Sequence, residues 1–391
     1  MILTTYLNLE KQSAVNAGAE NTAREIVQQP RLWLDVLALI ASQKNDLAAF
    51  LYPLIEKPDL RIILTGAGSS AFIGESAQGI VQRNTGRLTQ AIATTDIVTH
   101  PELTFQKQTP TLMVSFARSG NSPESVETVL LADENVSEIY HLIITCNEEG
   151  QLAGYAKRNK KRSYCLQLPE NANDKSLAMT GSFTSMLLSV LLVSNLAKLS
   201  EIGEQVLSVS EIADAIIAEH LDDFISLSSK NFERVIFLGS GPMLGIAREC
   251  HLKLQELTDG KVICKHDSFL GFRHGPRAVL NEKSLIVFLF SSESHVYQYE
   301  RDLAISIADD LRKIPIISFG GWYEDDFRPL INIAPRSENC PAGDFRMLTG
   351  TLIGQLMGFY KSLELGLQPD NPSVSGAISR VVQGVKIYKK V

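Results

Sequence analysis

The chain predicts an α/β architecture made of two tandem copies of one domain, each a parallel sheet flanked by helices, with a helical segment in front. Three observations carry this. Strand-like apolar runs, clearest at Arg61–Leu64, Thr111–Phe116, Ile139–Thr145 and Tyr164–Leu168, alternate with helical stretches, the pattern of a doubly wound parallel sheet. The pattern repeats: Arg61-Ile-Ile-Leu-Thr-Gly-Ala-Gly68 returns as Arg234-Val-Ile-Phe-Leu-Gly-Ser-Gly241, 173 residues later. The length of 391 residues has room for about two such domains.

Taken in order, residues 1–20 are polar and patternless and read as an extended or frayed arm. Thr22-Ala-Arg-Glu25 matches a capping box, opening helical stretches over roughly 22–42 and 44–56, with Pro30 and Trp33 near the start of the first. The expected division is an N-terminal arm and helix over 1–44, a first domain over 45–200, a second over 215–368 and a C-terminal tail over 369–391 that closes the site. Leu199 to Asn231 reads as helical and carries the linker. Phe183–Leu199 is the most apolar helix, but Ser185, Ser189, Ser194 and Asn195 interrupt it, so it reads as a core helix and not a membrane span.

Composition narrows the function. The formal net charge of −7, with no basic face, argues against nucleic acid as a partner. The one basic run, Lys157-Arg-Asn-Lys-Lys-Arg162, reads as a solvated surface segment. The five cysteines (Cys146, Cys165, Cys250, Cys264, Cys340) are odd in number and form no CxxC pair, as expected of reduced residues in the cytoplasm. Met1-Ile-Leu-Thr-Thr-Tyr has neither a positive n-region nor a long apolar stretch, so no signal peptide is expected. Cys264-Lys-His266-Asp267 alternates like a strand and has no second cluster to complete a metal site, so no metal is expected.

The most telling stretch is Met113-Val-Ser-Phe-Ala-Arg-Ser-Gly-Asn-Ser-Pro-Glu-Ser-Val126. A buried strand ends in a loop of small and hydroxyl residues, and a helix opens at Ser122-Pro123-Glu124. Such a loop aims backbone N–H groups, hydroxyls and the positive end of a helix dipole at one point, a seat for a phosphate dianion. The lysine of a P-loop is missing, so a phosphorylated metabolite is expected and not a nucleoside triphosphate. The plain alternative is an ordinary βα turn. Gly66-Ala-Gly-Ser-Ser70 lacks the third glycine of a dinucleotide fingerprint and reads as further hydroxyls, Ser69 and Ser70, lining the same pocket, or else as a tight packing turn. At the repeat offset the second copy has Glu293 and His295 where the first has Gly120 and Ser122. A glutamate repels a phosphate, so the phosphate is expected in the first domain only.

The second telling stretch runs from Gly245 to Pro276. Helix Ile246–Leu257 carries Glu249, Lys253 and Glu256 on one face, by default a solvated ion-paired surface. The loop Phe269-Leu-Gly-Phe-Arg-His-Gly-Pro276 follows, a rigid turn presenting the His274 imidazole and the Arg273 guanidinium. That pairing turns the reading toward catalysis.

The tandem copies, the Gly-x-Gly-Ser-Ser turn, the hydroxyl loop and the acid helix followed by His-Gly-Pro together resemble the sugar isomerase (SIS) domain family from about residue 45 onward. The resemblance implies doubly wound, flavodoxin-like domains. By likeness to the isomerase half of glucosamine-6-phosphate synthase, it implies phosphate binding by Arg118, Ser119 and Ser122, with Ser70 in the pocket. It likewise implies a catalytic base at Glu256 that moves a proton between C1 and C2, the helix lysine at Lys253, and a ring-opening histidine at His274, given across a dimer interface. That relative has Gln in place of Arg118, so this loop gains a positive charge. Its C-terminal lysine, near the sugar, has no match here by simple counting, and the nearest candidate for that substrate-binding role is Arg380. Gln28-Gln-Pro-Arg-x-Trp33, Ser119-Gly-Asn-Ser-Pro-Glu-Ser125, Gly271-Phe-Arg-His-Gly-Pro276 and Arg380-Val-Val-Gln-Gly384 resemble the narrower branch of tagatose-6-phosphate ketose/aldose isomerases, associated with galactosamine catabolism.

The expected activity is galactosamine 6-phosphate deamination coupled to isomerisation, giving tagatose 6-phosphate and ammonia through an enolamine. The chain begins Met1-Ile-Leu, without the N-terminal cysteine of a glutaminase, which favours ammonia release over synthesis. The other readings are a plain aldose–ketose isomerase of a sugar 6-phosphate and a sugar-phosphate sensor without chemistry. No cofactor and no membrane or nucleic-acid partner is expected, and a homodimer or higher homo-oligomer is.

Overall fold

The computed structural model describes residues 5–321, 327–334, 342–382 and 384–388; Met1 to Thr4, Cys340 and Gln383 lie outside these. The chain divides into two compact units, one of Arg31–Asp174, Gly181–Gly203 and Ser379–Val391, the other of Met1–Pro30, Lys175–Thr180 and Glu204–Ile378.

From residue 5 onward the N-terminal segment is not an extended arm. Strands β1 (Thr5–Tyr6) and β2 (Leu9–Glu10) pair as a hairpin, and helix Lys11–Asn16 follows. Leu7, at its turn, is buried, and its carbonyl accepts the Tyr360 hydroxyl. The Thr22…Glu25 capping box does not form either. Helix Glu20–Val27 already contains Thr22, and the Asp370 carboxylate caps it from afar, accepting N–H bonds from Asn21 (3.1 Å) and Thr22 (2.7 Å). Glu25, buried, instead accepts the Lys175 N–H at 2.6 Å. The expected helix over 22–42 divides, with helix Gln29–Ser42 beginning afresh just before Pro30.

In the first unit, β3 (Arg61–Thr65), β4 (Thr89–Ala91), β5 (Thr111–Ala117), β6 (Ile139–Thr145) and β7 (Ser163–Gln167) form an all-parallel sheet in the order β4-β3-β5-β6-β7. In the second, β8 (Arg234–Gly239), β9 (Ile263–Asp267), β10 (Ser284–Leu289), β11 (Ile316–Phe319) and β12 (Ile331–Ile333) run parallel in the order β12-β11-β10-β8-β9. Numbered within each sheet, both read 2-1-3-4-5, the flavodoxin-like order, in which ligands bind at the carboxyl ends of the strands. The central strands β3, β5 and β10 are buried along their whole length, which explains their unbroken apolar runs. Helix Gly181–Val193 is buried at every residue, and no single described helix is long and apolar enough to cross a membrane.

Candidate functional site

Two sets of side chains stand at carboxyl ends of strands, one in each unit. In the first unit β3 and β5 are neighbours, so the glycine turn and the hydroxyl loop leave the sheet side by side. Gly68 adopts φ 57°, ψ −130°, and helix Ser69–Thr85 starts at once, with Ser69 and Ser70 buried in its first turn. After β5 the chain turns at Gly120, φ 68°, and Ser122 stands at the N-cap of helix Pro123–Asn135. The Ser122 hydroxyl does not cap that helix but donates to Ser125 Oγ at 2.7 Å. The loop is braced from the next βα unit: Asn147 Nδ2 donates to the Ser119 carbonyl (2.8 Å), the Leu152 N–H to Gly120 O (3.1 Å) and the Gln151 N–H to Asn121 Oδ1 (3.0 Å).

Arg118 is buried, and its Nη2 donates to the Arg380 carbonyl. Arg380 in turn donates from Nε to the Asp174 carbonyl (2.8 Å) and from Nη2 to Asn173 Oδ1 (2.8 Å). Arg118 thus ties the C-terminal segment to the hydroxyl loop, and the Arg380 guanidinium ties that segment to Asn173 and Asp174. Cys146, buried beside them, has its thiol pushed up by burial and by the Asp174 charge, with Arg118 and Arg380 pulling the other way.

In the second unit, helix Pro242–Leu257 opens after Gly241, whose φ 53°, ψ −124° repeats that of Gly68. Its acidic–basic face is not solvated. Lys253 is 1% exposed and Glu249 fully buried, and the Lys253 ammonium stands 3.4 Å from Glu249 Oε1 and 2.6 Å from Glu256 Oε2. Glu256 alone reaches solvent, its side chain 24% exposed. Burial of Glu249 and Lys253 requires a partner helix that comes close. Helix Arg346–Glu364 supplies it through Gly350, Gly354 and Gly358, spaced four apart. A Cβ at Gly354 would meet Cys250, and one at Gly358 would meet Leu257.

On the same helix His251 lies 4.6 Å, ring to ring, from His266 of β9. Burial lowers both imidazoles, and His266, facing His251 as well, falls to about 4. Asp267 pairs with Lys265 at 3.4 Å, and among the described residues no group of three or more His, Cys, Asp or Glu could hold a metal. The His274 loop leaves the short helix Phe269–Phe272, whose Ser268 side chain accepts the Gly271 N–H at 3.0 Å. His274 itself is exposed, just before Gly275 at φ 113°.

Comparison with known proteins places this arrangement. An SIS domain model matches residues 54–196. The D-galactosamine-6-phosphate deaminase AgaS of Shewanella sp. strain ANA-3 is 39% identical, the alignment covering 98% of this chain and 95% of that protein. The chain belongs to the SIS domain family. A crystal structure from Clostridium novyi NT superposes with TM-score 0.94 at 39% identity, over 99% of this chain and 100% of that one. The Escherichia coli tagatose-6-phosphate ketose/aldose isomerase does so with TM-score 0.87 at 35% identity, over 94% and 96%.

Three features of the SIS units escape the sequence reading. Asp174 is a buried carboxylate that accepts the N–H groups of Gly181 (3.1 Å) and Ser182 (2.9 Å), holding the loop on which Arg380 rests. Glu300 is fully buried, and its carboxylate accepts the Ser291 N–H at 2.8 Å and the Ser240 hydroxyl. The third is the glycine stripe of helix Arg346–Glu364, visible in the sequence as glycines every fourth residue. The repeat offset also needs correction past the strands. Ser122 and Glu293 are the N-caps of equivalent helices, so the second loop is two residues shorter, and His295 lies inside helix Ser294–Ala308.

Proposed function

We propose that the chain is an amino-sugar-phosphate deaminase/isomerase that converts galactosamine 6-phosphate and water to tagatose 6-phosphate and ammonia. The observation that carries this is the likeness, over nearly the whole chain, to a relative whose name states that deamination. The bonded Lys253–Glu256 pair fits it, since a carboxylate oriented by an ammonium is suited to moving a proton between adjacent carbons. In this reading Arg118, Ser119 and Ser122, with Ser69 and Ser70, receive the phosphate, Arg380 braces that loop, and His274 assists ring opening. Glu256 takes the C2 proton of the open aldehyde and returns it at C1 through an enolamine. Water then adds to the C2 ketimine, and ammonia leaves.

The exposed His274 suits delivery to a neighbouring copy, so a homodimer belongs to the proposal, checked by sedimentation velocity. The four unpaired cysteines among the described residues fit the cytoplasm. A second reading, plain isomerisation, has the Escherichia coli likeness in its favour and would use the same base and loop.

The test is incubation with galactosamine 6-phosphate and with glucosamine 6-phosphate, following ammonia through coupled glutamate dehydrogenase. Ammonia from the galacto sugar, lost in Glu256→Gln while substrate binding stays within about tenfold, is the expected result. No ammonia from either sugar, with tagatose 6-phosphate still turned over, would replace deamination by plain isomerisation.

A further inference from the structure

At the amino ends of β6 and β7, on the edge of the first sheet opposite the hydroxyl loop, the surface holds a concavity of about 530 Å³. Its lining includes Lys157, Arg158, Lys160, Lys161 and Arg162, five cations from six consecutive residues. One acid lines it, Asp133, and its carboxylate is already engaged by the Tyr155 hydroxyl (2.7 Å) and by His141 Nε2 (3.0 Å). Lys157 and Arg158 stand in the last turn of helix Gln151–Arg158, where cations complement the helix dipole. That accounts for two of the five. Lys160, Lys161 and Arg162 follow in the turn before β7 and converge on the same hollow, in a chain whose net charge is −7. Like charges gathered around a concave surface repel one another until an anion joins them.

The helix that ends in this concavity begins on the hydroxyl loop. Its first residues donate to Gly120 O and Asn121 Oδ1, as described above. Eight residues, about 12 Å of helix at 1.5 Å each, thus connect the two places. We propose that the concavity is an effector site for a small anion bearing two or more phosphate groups, coupled through helix Gln151–Arg158 to the hydroxyl loop. A macromolecular polyanion is the poorer fit, because the cations line a single hollow and the rest of the chain is acidic.

The probe is inorganic pyrophosphate, titrated calorimetrically at physiological salt into the full chain without substrate, so that the binding arm is independent of the proposed reaction. Saturable binding of one pyrophosphate per chain is expected, weakened at least about tenfold in Lys160→Ala/Lys161→Ala and retained in Ser119→Ala/Ser122→Ala. Both lysines are exposed and away from the proposed catalytic groups, so basal turnover and folding should be unchanged. Binding lost in the serine variant and kept in the lysine variant would show pyrophosphate entering the hydroxyl loop and overturn the proposal, as would no binding at all. Coupling is read as the affinity for tagatose 6-phosphate with and without saturating pyrophosphate. A change of about threefold or more is expected in the parent and absent in the lysine variant, and an unchanged affinity would overturn the effector role.

Discussion

After β5 the chain runs through five residues, Arg118 to Ser122, before its helix begins, and after Phe290, which matches Ala117 and lies one past the end of β10, it runs through three, Ser291 to Glu293. The strands before the two loops and the glycine turns beside them are alike, down to the φ and ψ of Gly68 and Gly241. In the first unit the N-cap is a serine, and backbone N–H groups and hydroxyls surround Gly120. In the second the N-cap is Glu293, and the Glu300 carboxylate already holds the Ser291 N–H and the Ser240 hydroxyl. The same supersecondary unit therefore carries a glycine turn and a serine N-cap in one copy, and in the other an acid at the N-cap with a buried acid that takes a loop N–H. Two missing loop residues and one buried acid make the difference, and the charged groups of the second copy extend the pattern, with Lys253 matched to Glu249 and Glu256.

The comparison can be broken most severely at Lys253. Lys253→Met leaves Glu249 buried without its cation, and a loss of about 3–5 kcal/mol in a denaturant melt is expected. Adding Glu249→Gln should recover a large part of that loss, and no recovery would mean that the pair is not the cause. Next is Ser122→Glu, which gives the first loop the N-cap of the second. An acid at an N-cap suits the helix, so the fold should hold, while repulsion raises KM for the phosphorylated sugar about a hundredfold. An unchanged KM would remove this loop from phosphate binding.

Glu300→Ala should cost about 1–3 kcal/mol by leaving the half-buried Ser291 N–H without its acceptor, and millimolar phosphate should restore part of the lost Tm in the variant and not in the parent. Burial raises the Glu300 carboxyl, so its folded-state pKa lies above its unfolded one. Stability from this group is then greatest below the unfolded value and declines as pH rises through the folded one. Glu300→Gln, which keeps an acceptor, should match or exceed the parent at pH 7 and lose that advantage near pH 4. The smallest effect concerns Cys146 and Cys250, both buried and raised by burial. Thiol reagents at pH 8 should leave these two untouched until the chain unfolds.

Much of this was legible beforehand. The parallel sheets, the repeat and the helix start at Pro123 follow from unbroken apolar strands, a shared Gly-x-Gly turn and local capping chemistry, all short-range signals. What was not legible depends on partners far away in the chain. Thr22 and Glu25 look like a capping box, yet Asp370, some 350 residues on, takes the Thr22 N–H, and the loop at Lys175 and Ser176 takes Glu25. The hairpin at 5–10 turns through Leu7 and Asn8 at φ 47° and 59°, and a leucine there gives none of the usual turn signal. The acid face of helix Pro242–Leu257 looks solvated because i, i+4 charge pairs usually are. Only the glycines of a helix about a hundred residues later hinted that it would be covered.

That glycine stripe bears on how the chain can evolve. Gly350, Gly354 and Gly358 need touch no ligand, yet any side chain added at Gly354 or Gly358 would push back the helix that carries Glu256. In a saturation-mutagenesis library scored for growth on the substrate, both positions should be as intolerant as Glu256, the proposed base. The exposed cations of 157–162, by contrast, should drift freely unless selection acts on what they bind.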